Sequence, residues 1–156
     1  MERNPNRYDK KWDVRINERF IFDVKSTVIP REFRDDWMSV VAFPARIVNF
    51  YYDKQSRGVR YDMQNRLFIV HHSLVDSSRE FLLRYAWRTK EYVYRTFVEN
   101  IESITLDSYA GCDVAVIFII ETTRNCLLYK ISGFNADLCS INPFLYRVLL
   151  SLIFKT

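Results

Sequence analysis

The sequence predicts a single α+β domain: one bent, mostly antiparallel sheet, with a helix in the N-terminal third and a C-terminal helix packed on the sheet. Three observations carry that expectation. Period-two and β-branched runs recur in the second half of the chain, and a three- and four-residue apolar rhythm fills Phe33–Tyr52. The 156 residues include only 3 Gly and 4 Pro, which leaves little room for a linker between domains. A hydrophobic content of 49% is that of a globular protein. A chain of this length buries roughly two-thirds of its unfolded surface, enough for a core without metal or disulfide staples.

Residues 1–18 mix Arg3, Arg7, Lys10 and Lys11 with Glu2, Asp9 and Asp13 and read as an exposed polar arm ahead of a domain spanning 19–156. Arg19–Ile29 follows as a half-buried strand. Phe20, Phe22, Val24, Ser26 and Val28 share one face, and Arg19, Asp23, Lys25 and Thr27 the other. Pro30 closes it. Phe33–Tyr52 reads as helix, with Asp35 and Asp36 where negative charge suits a helix N-terminus. Pro44 cannot complete the hydrogen-bond ladder, which predicts a kink or two short helices. Asp53–Arg60 is a turn around Gly58, and Leu67–Val70 begins the next strand.

Phe81–Trp87 alternates, with Phe81, Leu83, Tyr85 and Trp87 on one face. A turn at Thr89 and Lys90 then leads into Tyr92–Val98, giving a hairpin. The competing reading is one helix from Ser78 to Ile101, capped by Ser78. Asp113–Glu121 is a continuous β-branched run of the fully buried kind. Thr122–Asn125 turns it into Cys126–Ser132, and Gly133 ends the pair. Asp137 or Ser140 then caps the last helix, with Pro143 in its first turn. That apolar stretch, Ile141–Phe154, carries Arg147 and falls short of the roughly 20 apolar residues that span a bilayer, so it is expected to be buried or interfacial. The polar opening MERNPNRYDKKW has no secretory signal.

Catalytic signatures are sparse. Cys112, Cys126 and Cys139 are odd in number and widely spaced, which fits neither a disulfide framework nor a zinc site and implies a reducing, intracellular setting. In apolar surroundings free cysteines act as inert core. His71 and His72 are adjacent, and on a strand they face opposite sides, so they cannot share a metal unaided and read as structural. No phosphate-cradling, zinc-protease or nucleophile-elbow pattern occurs, and helix capping accounts for the one carboxylate pair, Asp35-Asp36. The expectation is a protein without catalytic residues, metal, cofactor or small-molecule substrate.

Charge and rings point to binding instead. There are 23 Lys+Arg against 19 Asp+Glu, a net +4 that favours polyanionic partners. Lys10, Lys11, Lys54, Arg57, Arg60 and Arg66 are the candidate contacts to an anionic membrane surface. The stretch Arg79–Arg95 sets five basic residues against two acidic ones and interleaves them with rings. Arg84, Tyr85, Trp87, Arg88, Lys90 and Arg95 are the candidate contacts to single-stranded nucleic acid, because rings stack bases while arginines hold phosphates. An aromatic content of 16%, with 10 Tyr and 12 Phe, exceeds what a small core hides and favours interfaces and homo-oligomers.

The strand RFIFDVKSTV, the Phe33-Arg34 opening, the helix to Tyr52 and the return through RGVRYDMQNRLFIV resemble the front half of a rhabdovirus matrix protein, over Arg19–Val75. That resemblance implies a non-enzymatic protein that lies beneath a membrane, binds a nucleocapsid or RNA and polymerises, in the cytoplasm, at the inner membrane face or in a virion. Over Tyr92–Phe154, the succession of a strand, IESITLD, a strand, a hairpin and a closing helix is similar to the back half of a pleckstrin-homology-like domain. It implies a monomeric protein or lipid adaptor whose terminal helix plugs a bent sheet.

Overall fold

The computed structural model describes residues 1–6, 12–55, 65–124, 126–133 and 139–141; of Gln55, Arg88, Thr89 and residues 139–141 it describes the backbone only. The elements run β1 (Glu2–Arg3), β2 (Val14–Ile16), β3 (Phe20–Val28), a 3₁₀ turn (Arg31–Phe33), α1 (Trp37–Ala42), α2 (Ala45–Gln55), β4 (Arg66–Ser73), α3 (Arg79–Tyr85), α4 (Trp87–Asn100), a second 3₁₀ turn (Ile101–Ser103), β5 (Asp107–Tyr109), β6 (Cys112–Thr123), β7 (Cys126–Ile131) and β8 (Cys139–Ile141). The α+β class holds. One curled sheet has the order β1-β2-β3-β4-β6-β7-β8, with β5 also paired to β6.

Most pairings are antiparallel, but the two long central ladders, β3·β4 and β4·β6, are parallel. The connection from β3 to β4 carries α1 and α2, whose Val40, Val41, Ile47, Val48, Tyr51 and Tyr52 pack on Phe68, Val70, Val116 and Phe118. The connection from β4 to β6 carries α3 and α4, whose Leu83, Val93 and Phe97 pack on Leu67, Ile69, Ile117 and Ile119. Residues 67 and 69 lie opposite 68 and 70 on one strand, so the helices cover both faces. The helices thus form two layers, one on each face of the sheet. Both crossovers step the same way across the sheet while covering opposite faces, which requires one of them to be left-handed, the rare hand.

Pro44 falls between α1 and α2 and splits the long helix as expected. Asp36 does not cap α1 with its side chain; its carboxylate accepts from Arg46 at 2.7 Å. The expected polar arm is corrected. Val14 and Ile16 are buried and pair with Phe22 and Phe20 through a tight turn in which Asn17 and Glu18 adopt φ of 50° and 57°. Tertiary packing of two apolar side chains outweighs the charge around them. The expected hairpin over Phe81–Val98 is also corrected: α3 and α4 occupy it, broken at Ala86, so the helical alternative is nearer, although Ser78 makes no side-chain cap. Tyr92–Val98, the strand in the pleckstrin-homology-like comparison, is the middle of α4. Ser140, a candidate cap of the last helix, lies in β8 opposite Leu128. That helix and the turn at Gly58 fall outside the described residues. Gly133 ends the β7 arm at φ +72°, where an added Cβ would lie 1.8 Å from the Thr105 carbonyl oxygen.

Candidate functional site

Among the six residues expected at a membrane surface, Lys10, Lys11, Arg57 and Arg60 lie outside the described residues. Lys54 is exposed in the last turn of α2. Arg66 is not on that surface. It opens β4 at 5% exposure, with its guanidinium 4.4 Å from the Tyr52 ring centroid and its Nε 3.7 Å from Asp23 Oδ2. A β-strand position between two neighbours inside the sheet pulls its side chain into the layer below, and Asp23 and Tyr52 receive the charge there.

The nucleic-acid set is likewise separated by the helical period. Tyr85 is 66% exposed and packs its ring on Phe81, itself 61% exposed, with centroids 4.9 Å apart. Trp87, 49% exposed, turns instead toward Tyr94, 5.6 Å away, and Arg3 lies over its ring at 5.8 Å. Tyr92 leans on Tyr129 of β7. Arg84 is half-buried, Arg95 is exposed and reaches Glu91 at 3.2 Å, and the Arg88 side chain is not among those described. Lys90 is a correction: it points inward at 5% exposure and its ammonium donates to the Arg84 carbonyl. Burial, and then the Arg84 charge, push its pKa down to about 8. The rings stay at the surface, but in three pairs rather than one platform.

Two features escaped sequence reading. The first lies at the carboxyl ends of the three parallel strands. Arg34 donates twice to Glu80, at 2.9 and 2.7 Å, and Glu80 Oε1 also meets His72 Nδ1 at 3.1 Å and the Ser73 N–H at 3.2 Å. Beside it, the fully buried Glu121 takes Arg79 through Nε and a terminal nitrogen, and the Ser73 hydroxyl at 2.6 Å. Burial alone would raise the Glu80 carboxyl, but hydrogen bonds from His72, Arg34 and Ser73 outweigh it and hold it below its ordinary value. Both carboxylates are saturated by donors, so this cluster clamps the start of α3 to the sheet. His71 faces the other way, with Nδ1 3.1 Å from the Thr27 carbonyl, and burial lowers its pKa to about 4. The expectation that the histidines sit on opposite faces holds.

The second feature is a cavity of about 420 Å³ between the N-terminal strands and α4. Leu67, Ile69 and Phe97 form its floor, and Trp12, Trp87 and Tyr94 its walls. The ring sequence in α4 was a signal for it, because Trp87, Tyr94 and Val98 recur at helical steps on one flank. Cys112 is buried as expected and Cys126 half-buried. Among the described residues no cluster of metal-ligating side chains occurs, and no helix is long and apolar enough to cross a membrane. Comparison with protein-family models, with curated proteins and with solved structures finds no match to this chain.

Proposed function

We propose that the chain is a non-enzymatic assembly protein that self-associates through the outer surface of α3 and docks against a polyanionic partner. One observation carries this reading. Phe81 and Tyr85 pack their tilted rings on each other outside the fold, and the loop entering the same helix leaves Leu74 and Val75 exposed. Uncovered rings and aliphatic groups on one element of a small domain mark a contact surface. The clamp at Glu80 and Glu121 keeps that helix rigid, which lowers the entropy lost on docking. This agrees with what the matrix-like pattern over Arg19–Val75 implies.

Sedimentation velocity across concentration and salt tests it. The wild-type chain is expected to associate as concentration rises, and Phe81→Ser with Tyr85→Ser to remain monomeric without loss of folding. A wild-type chain that stays monomeric throughout would remove the assembly reading and favour an adaptor. A second reading, single-stranded RNA binding, is favoured by the half-exposed Trp87 ring beside Arg3. It requires tryptophan quenching by an oligoribonucleotide with a salt-dependent affinity. Co-flotation with anionic but not neutral vesicles at low salt would identify the polyanion as lipid.

A further inference from the structure

The cavity between the N-terminal strands and α4 has the build of a ligand site rather than of a packing fault. Its size of about 420 Å³ lies within the ordinary range for small-molecule pockets. Its floor is continuous with the main core, since Leu67, Ile69 and Phe97 belong to the cluster that joins the sheet to α3 and α4. An occupant would therefore exchange water for a dry apolar surface.

The charged and amide side chains of its lining, Arg3, Asn4, Asn6 and Asp13, all come from the N-terminal segment. Asn4 donates to the Trp12 carbonyl at 2.8 Å, and Asp13 accepts from the Val24 N–H at 2.8 Å, so both serve to hold the N-terminal strands in place. Of the other lining side chains, Arg3 supplies a cation and Tyr94 a hydroxyl. Arg3 lies at the rim over Trp87 and meets no carboxylate among the described residues. Tyr94 presents a hydroxyl that meets no hydrogen-bond partner among them, and burial pushes it up to about 12, so it remains a proton donor. A cation and a neutral O–H donor beside an apolar chamber are complementary to one acidic head on a hydrocarbon body.

We infer that this cavity binds a free amphipathic carboxylate, with its aliphatic or aryl body against Leu67, Ile69 and Phe97 and its carboxylate between Arg3 and the Tyr94 hydroxyl. The inference does not rest on self-association: neither Phe81 nor Tyr85 lines the cavity, and the two are tested with separate variants.

Isothermal titration of the full chain with octanoate, decanoate and decanol, each below its micelle concentration, provides the test. Saturable one-site binding of decanoate is expected, about fourfold tighter than octanoate per added methylene. Decanol should bind more weakly, and Arg3→Gln, an exposed position whose change leaves the fold intact, should bring decanoate to the level of decanol. Val98→Phe, which fills the cavity from α4, should weaken both by about tenfold or more. Absence of saturable binding, equal affinity for acid and alcohol, or wild-type affinity for decanoate in Arg3→Gln would each overturn the inference; the last keeps it falsifiable should Val98→Phe fail to fold.

Discussion

The two faces of the sheet are built to different standards. Against α1 and α2, ring meets ring: Tyr51 stacks on Phe68 at 5.0 Å, Tyr52 meets Phe68 edge-on at 5.8 Å, and the Tyr51 hydroxyl is satisfied by the Val28 carbonyl. Against α3 and α4 the core is equally apolar, but it leaves a cavity, turns a lysine inward and puts Phe81, Tyr85 and Trp87 outside. The same strands supply both faces, so the difference lies in the helices. One face closes stacked rings around the buried Arg66–Asp23 pair, and the other combines its apolar core with the cavity, the inward lysine and the exposed rings of α3 and α4.

The largest expected effect separates the faces by packing. Phe68→Ala removes a ring held on several sides and should cost about 3–5 kcal/mol, whereas Val98→Ala borders existing space and should cost less than about 1 kcal/mol. Urea unfolding checks both, and equal losses would erase the contrast. Next is pH. His71 lies on the α3–α4 side and stays neutral in the fold until about pH 4, while the unfolded chain protonates near 6.5. Between those values the unfolded state binds the extra proton, so stability falls as pH falls, by up to about 3 kcal/mol. His71→Leu should flatten that window. Glu80 acts lower: its depressed carboxyl contributes stability that is lost only as acid protonates it below its ordinary range.

The smallest effect concerns Lys90. Burial depresses its ammonium to about 8, so at neutral pH it is a charge held in the wrong medium. Lys90→Met is expected to stabilise the chain by about 1 kcal/mol at pH 7. The advantage should shrink above pH 8, where the folded wild type sheds its proton before the unfolded chain does. A melting-temperature series across pH tests this, and a loss of stability in the variant would show that Lys90 anchors the Arg84 carbonyl at a net gain.

Much of the scaffold was legible because its signals are local. The β-branched run of β6, the alternation of β3 and the break at Pro44 each report on one element, and each lies where the sequence places it. The helical pair departs from the expected hairpin for an identifiable reason. Phe81, Leu83, Tyr85 and Trp87 alternate like a strand, yet Leu83, Ala86, Lys90, Val93, Phe97 and Ile101 form a buried stripe at three- and four-residue steps, and a lysine inside that stripe disguised it. Basic residues usually lie at the surface, and only the neighbouring strand shows Asp23 waiting for Arg66. The clamp was illegible in principle, since Arg34, Ser73, Glu80 and Glu121 are brought together by crossovers and share no motif.

The central strand has a consequence for how the chain is made. All eight residues of β4 are buried, and its two long edges are satisfied by β3 and by β6. As the chain leaves the ribosome, one of those edges finds its partner already synthesised, while the other stays open until Cys112–Thr123 emerges. During that interval a bare ladder of LFIV backbone is offered to any passing strand. Helices α3 and α4, made in between, form from local contacts and are in position to shield it first.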